Sequence, residues 1–253
     1  MNWVTKCLKA LWGIFAWLCL GVLVVFMLVV VVIVPNADRR HKLATWSSRM
    51  VFVLPMIDVR VRGMDNLPTD DCVVVANHAS YLDGLLLKGY LPWRFNFVIK
   101  GEMRNFGPAH FLLRRSGAKF VERTDVRGST RDARQIVKAA LDGESLGFFP
   151  EGTFQEEPGV LRFRPGAFVA ATKSEMPVVP IAISGSRYVL PAKRLLPRRG
   201  PLTIDILPAI APGDPDFETS RGLAEAARQR ILAVLDEPDL LAQDDEPEAA
   251  QSN

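Results

Sequence analysis

Residues 72–83 read Cys72-Val73-Val74-Val75-Ala76-Asn77-His78-Ala79-Ser80-Tyr81-Leu82-Asp83. Three consecutive valines followed by Ala76 predict a short strand buried on both faces. The polar cluster comes directly after it. In an α/β fold the chemistry lies at the carboxyl ends of the strands, so this cluster is a candidate site. His78 and Asp83 are five residues apart, a spacing that points them to different faces of one helix. They converge only if His78 sits in the loop and Asp83 in the first turn of a following helix. Gly84-Leu85-Leu86-Leu87-Lys88 reads as that helix. A carboxylate against an imidazole fixes the ring tautomer and stabilises the imidazolium, so the pair has the parts of a general base for a hydroxyl. The same residues also fit a structural histidine beside an ordinary N-terminal helix aspartate.

Outward from this stretch, strand and helix patterns alternate, giving an α/β class with a mixed central sheet flanked by helices. Strands are expected at 58–63, 95–99, 118–121, 146–149, 178–184 and 202–207. Helices are expected at 111–116, from a cap at Ser129 to Leu141, at 166–173 and at 223–235. Four strand ends carry polar groups: Asn77 to Asp83, Lys100 to Glu102, Glu122-Arg123, and Glu151-Gly152-Thr153. Arg164 follows in Arg162-Phe163-Arg164-Pro165. Arginine offers a forked donor matched to phosphate, and Gly152 allows close backbone approach. Together they suit an anionic substrate with a hydroxyl to activate.

Towards the N-terminus, residues 10–34 carry no charge. As a helix they reach about 37 Å, enough to cross a hydrocarbon core of about 30 Å. A retained anchor fits better than a cleaved signal peptide, whose apolar core is shorter and ends at a small-residue cleavage site. Basic residues flank the segment on both sides: Lys6 and Lys9 before it, Arg39, Arg40 and Lys42 after it. They leave the orientation open unless the chain enters and leaves one leaflet, with the apolar stretch Trp46–Ile57 lying at the interface. Residues 1–57 are therefore expected to be a membrane anchor, 58–236 the main domain, and the acidic stretch 237–253 a disordered tail. A basic, proline-rich loop runs from Pro191 to Pro201. The net charge of +3 is modest, and nothing in the chain points to nucleic acid. The three cysteines, Cys7, Cys19 and Cys72, form neither a disulfide framework nor a metal-ligand spacing, so no metal is expected.

Four blocks now stand in order. Asn77-His78-Ala79-Ser80-Tyr81-Leu82-Asp83 is similar to the N-H-x-x-x-x-D signature of the 1-acylglycerol-3-phosphate acyltransferase family. Gly117-Ala118-Lys119-Phe120-Val121-Glu122-Arg123 resembles its G-x-x-F-I-x-R block. Phe149-Pro150-Glu151-Gly152-Thr153-Phe154 resembles its F-P-E-G-T-R block, and Val178-Val179-Pro180-Ile181-Ala182-Ile183 its proline-containing fourth block. The resemblance implies a membrane-bound enzyme that moves a fatty acyl group from a thioester of coenzyme A or acyl carrier protein to a lysophospholipid, 1-acylglycerol 3-phosphate giving phosphatidate, with no cofactor. It also implies a cytoplasmic-membrane location with the active site on the cytoplasmic face. His78 would be the base and Asp83 its orienting partner. Arg123, Glu151, Gly152 and Thr153 would hold the acceptor's phosphoglycerol, with Lys100 and Arg164 as further phosphate contacts. Phe154 stands where that block has arginine, and a phenyl ring cannot pair with phosphate. Either Arg123 and Arg164 suffice, or the acceptor head group differs; glycerol 3-phosphate and other lyso-lipids are the alternatives.

Two rivals remain at this level. Gly143-Glu144-Ser145-Leu146-Gly147 fits the G-x-S-x-G of serine lipases, but that motif needs a strand before the serine and a helix after it, and here the predicted order is reversed. A non-catalytic membrane scaffold would use His78 and Asp83 only for folding.

Overall fold

The structure, a computed structural model, describes residues 3–121 and 126–241, without the side chains of 126–130. The valine run forms β2 (Val73–Ala76), buried along its whole length. Its alternation splits it between two cores. Val73 and Val75 face a cluster built with α5 (Val126–Leu141), α6 (Gly166–Ser174) and α8 (Ser220–Leu232). Val74 and Ala76 face a cluster built with α1 (Trp3–Ile33), α2 (Ala37–Val53) and α3 (Leu82–Tyr90). A strand covered on both faces carries no polar side, which is why the run is uniformly apolar.

The remaining strands are β1 (Val59–Arg62), β3 (Asn96–Lys100), β4 (Lys119–Val121), β5 (Leu146–Phe148), β6 (Val178–Ser184) and β7 (Leu202–Ile206). With β2 they form one sheet in the order β1-β7-β6-β2-β5-β3-β4. All neighbours are parallel except β6 and β7. The sheet is mixed, as expected, and the parallel set β2, β3, β4, β5 brings four carboxyl ends to one edge. Two short helices complete the framework, α4 (Gly107–Arg115) and α7 (Ser186–Val189).

Several boundaries differ from the sequence reading. The helix expected from a cap at Ser129 begins at Val126, so Ser129 lies inside it. The second apolar stretch is the latter half of α2, which starts twenty residues earlier than Ile57 and is capped by the Asn36 side chain accepting from the Arg39 N–H at 2.9 Å. The basic residues after α1 are partly structural. Arg40 donates to the carbonyls of Val34 and Pro35, and Arg115 to that of Val31, so cations close the carboxyl end of α1. The expected tail does not begin at 237. Glu237 accepts from Arg187 and from the Gly159 N–H, and Asp239 pairs with Arg228, which is 1% exposed. Acidic side chains meeting buried cations hold the chain to the body as far as Leu241.

Nor does position 57 separate two cores. Phe52 of α2 is fully buried in the same cluster as Val74. The crossing of α2 over α3 is close because Gly89 lacks a side chain: a Cβ there would stand 2.7 Å from the Arg49 backbone nitrogen. Gly89→Ala should cost about 1–3 kcal/mol by overpacking. Gly84→Ala, which meets nothing within 4 Å, should be neutral or slightly stabilising. Thermal unfolding of the full chain in detergent checks both; equal midpoints for the two variants would refute the crossing as the constraint.

Candidate active site

Beyond β2 the chain leaves the sheet, and side chains replace the lost ladder. Asn77 pairs with the Ile183 backbone in both directions, donating at 3.0 Å and accepting at 2.7 Å, which extends the β2–β6 pairing past the end of β2. Ser80 Oγ donates to the Leu190 carbonyl at 2.7 Å. The loop is thus fixed on both sides of His78.

The structure brings His78 and Asp83 together. Asp83, fully buried in the first turn of α3, accepts three hydrogen bonds on Oδ2: from His78 Nδ1 at 2.9 Å, from the Ala79 N–H at 2.7 Å and from the Ser80 N–H at 2.8 Å. Its Oδ1 is buried without a hydrogen-bond partner. A carboxylate only accepts, so Nδ1 carries the hydrogen and Nε2 is left to take a proton.

Aromatic rings surround the imidazole. Phe149, just past β5, stacks on it at 4.4 Å between ring centres, and Phe154 meets it edge-on at 4.6 Å. Tyr81 meets Phe154 at 4.7 Å and is largely exposed. Sequence reasoning missed Phe149 and Tyr81; an aromatic beside a motif reads as core until the fold brings it to the histidine. Phe154, taken from the sequence only as a missing arginine, is part of this enclosure.

Glu151, expected at the acceptor, is engaged by backbone donors. It is 4% exposed, and its two oxygens accept from the His78 N–H at 2.7 Å and the Leu161 N–H at 2.8 Å. It ties the β5 loop to the β2 loop. Gly152 takes a left-handed φ of 77° and is buried; this turn needs glycine. Thr153 and Arg164 are exposed beside it, and the Arg164 N–H donates to the Pro150 carbonyl. Lys100 is exposed at the carboxyl end of β3, on the same sheet edge. Arg123 lies among residues 122–125, outside the described residues. Ser145 sits at the opposite edge, at the amino end of β5. It is buried and donates to Asp71 at 2.8 Å, with no histidine beside it among the described residues. That removes the arrangement a serine lipase requires. Cys72 is a buried thiol that burial pushes up to about 12, an inert group. Among the described residues no cluster of three His, Cys, Asp or Glu side chains could hold a metal ion.

An apolar cavity of about 290 Å³ adjoins the aromatic enclosure, walled by Phe149, Tyr81, Leu85 and Phe97 and by the inner faces of α1 and α2. Lys88 lines it too, its Nζ donating to the Phe95 carbonyl at 3.2 Å, and burial lowers that ammonium to about 8.

An acyltransferase family model matches residues 58–184, half of the chain and all four blocks. A 1-acyl-sn-glycerol-3-phosphate acyltransferase of Chlamydomonas reinhardtii is 32% identical across 87% of this chain and 68% of its own length. The chain belongs to the 1-acylglycerol-3-phosphate acyltransferase family. Another member, a chloroplastic 1-acyl-sn-glycerol-3-phosphate acyltransferase of Brassica napus, is 30% identical over 58% of this chain but only 42% of its own length. The crystal structure of the 1-acyl-sn-glycerophosphate acyltransferase of Thermotoga maritima superimposes with a TM-score of 0.75, covering 89% of this chain and 94% of that one at 23% identity. The shared fold therefore extends well beyond the residues that the family model matches.

Burial drives the Glu151 carboxyl up to about 7, against the pull of the two N–H donors from Leu161 and His78. An unfolded glutamate releases its proton near pH 4.3. Between about pH 4.5 and 7 the native chain holds a proton that the unfolded chain has lost, so stability falls as pH rises through that window. The thermal midpoint should drop from about pH 5 to about pH 7, and Glu151→Gln should flatten that slope. Identical slopes in the two proteins would refute the assignment.

Proposed function

We propose that this family member transfers a fatty acyl group from an acyl thioester to the free hydroxyl of a lysophospholipid, 1-acylglycerol 3-phosphate in the first instance. The observation that carries the reading is the 2.9 Å contact between His78 Nδ1 and Asp83 at the rim of an apolar cavity. His78 Nε2 takes the hydroxyl proton as the oxygen attacks the thioester carbonyl. The C–S bond then breaks, and the leaving thiolate takes that proton back from the imidazolium. Asp83 holds the tautomer and balances the transient charge. The donor's acyl chain lies along the cavity's apolar lining, and its polar end stays outside. Thiols of coenzyme A or of acyl carrier protein both satisfy this chemistry. Arg164, Lys100 and Arg123 are the cations assigned to the acceptor's phosphate; Phe154 contributes enclosure of the imidazole instead of charge.

The same reading includes attachment to one leaflet of the cytoplasmic membrane, with the site facing the cytoplasm. α1 is long and apolar enough to cross a bilayer by length and composition, yet it is packed along its inner side on the domain. Its other side exposes Val4, Leu8, Leu11, Phe15, Leu18 and Val22, continuing at the same spacing to Val32. One continuous apolar stripe, with the domain covering the opposite side, suits a helix seated in one leaflet beside the domain. The chain also returns to its starting level, since the Trp12 indole donates to the Pro55 carbonyl at 3.1 Å.

His78→Ala should lower transfer to 1-acylglycerol 3-phosphate by about 10²- to 10⁴-fold, while Phe154→Arg should leave transfer present. Radiolabelled acyl transfer by the purified full chain is the measurement, and full activity in His78→Ala would discard the base. For the attachment, cysteines introduced at positions 2 and 60 should be labelled from the same side of sealed vesicles. Labelling from opposite sides would exclude the single-leaflet arrangement.

A further inference from the structure

The basic loop 191–201 takes no part in the site described above. It is nevertheless firmly built. The Trp17 indole donates to the Leu195 carbonyl, the Arg198 N–H donates to the Val189 carbonyl at 2.8 Å, and Leu196 packs against α1 at Gly13. Between this loop and the first turns of α1 lies a groove of about 640 Å³. Among the described residues that line it, five are cationic, Lys6 and Lys9 from α1 and Arg194, Arg198 and Arg199 from the loop, and none is acidic. The Arg198 guanidinium lies 5.4 Å from the Tyr188 ring centre and that of Arg199 5.6 Å from Trp12. A guanidinium resting on a ring keeps its in-plane donors for an anion. Among the described residues Lys6, Arg194, Arg198 and Arg199 form no ion pair.

We propose that this groove is a binding site for the phosphate head of an anionic bilayer phospholipid, separate from the catalytic centre. The lipid source follows from what borders the groove. Leu8 lines it, and the exposed stripe on α1 runs on from Leu8 through Leu11 and Phe15. A phosphate with acyl chains fills the cationic groove and covers that stripe together; a soluble anion leaves the stripe uncovered. An acidic protein would be drawn by the same charge but would bury the stripe away from lipid. The site requires only the groove and the helix face, so it stands or falls independently of acyl transfer.

The test is binding of radiolabelled phosphatidylglycerol to the full chain in neutral maltoside micelles. Binding should be saturable and at least about tenfold tighter than that of phosphatidylcholine. A cation near a lipid surface contributes on a scale that predicts about a hundredfold weakening in Arg194→Gln/Arg198→Gln/Arg199→Gln and about fivefold in Lys6→Gln, an exposed first-turn change that leaves the loop intact. Thermal unfolding in the same micelles checks that each variant is folded. Unchanged affinity in the folded variants overturns the proposal. So does displacement of the lipid by inorganic phosphate at equal concentration, which marks a soluble-anion site. Loss of acyl carrier protein binding with lipid binding intact overturns it in favour of a protein dock.

Discussion

One carboxylate oxygen holds the site together. Asp83 Oδ2 receives the imidazole of His78 and the backbone N–H groups of Ala79 and Ser80 at once. In a fully buried setting such donors matter more than they would in water, because no solvent competes for the oxygen. The three bonds turn the loop between β2 and α3, residues 77–81, into a fixed bracket. They also join β2 to α3, since the acceptor belongs to the helix and the donors to the strand's exit. The imidazole orientation therefore depends on how α3 lies against the sheet, and so on everything packed behind α3.

A second carboxylate works the other way round. Glu151 receives the His78 N–H from the front and the Leu161 N–H from behind. Asp83 sets the ring, and Glu151 sets the backbone from which the ring hangs. The loop after Glu151 is in turn held by Arg187, which donates to the Gln155 carbonyl and pairs with Glu237. Contacts running from the loops after β2 and β5 through Arg187 of α7 to Glu237 thus support one ring indirectly. The histidine's setting is distributed over the sequence, although its motif is local.

How much of this could be read beforehand varied with the physics behind each feature. Val73–Ala76 was legible because a strand buried on both faces must be uniformly apolar, and its neighbours followed from the same rule. His78 and Asp83 were legible because a five-residue spacing allows convergence only across a loop-to-helix junction, and the structure has that junction. Ser129 misled because the helix has helical backbone three residues before the capping type appears. The acidic residues after Leu235 looked like a solvated tail because Arg187, the partner of Glu237, is remote in sequence, and because Arg228, the partner of Asp239, is buried only in the folded chain. Glu151 carried a motif that named it without revealing its task, which lies in two backbone N–H groups that no side-chain pattern encodes. Phe149 and Tyr81 were hidden for the same reason: only the folded chain places them at the ring.

The burial of Phe52 against Val74 has a practical consequence. Helices that look like a detachable tether contribute to the same apolar layer that backs the central strand. A shortened protein starting after them would expose Leu86, Leu87 and Ile181 along one side of the sheet, all now shielded from solvent. Removing the exposed apolar stripe by deletion is therefore closed off: the helices that carry it cannot be cut away without opening the interior.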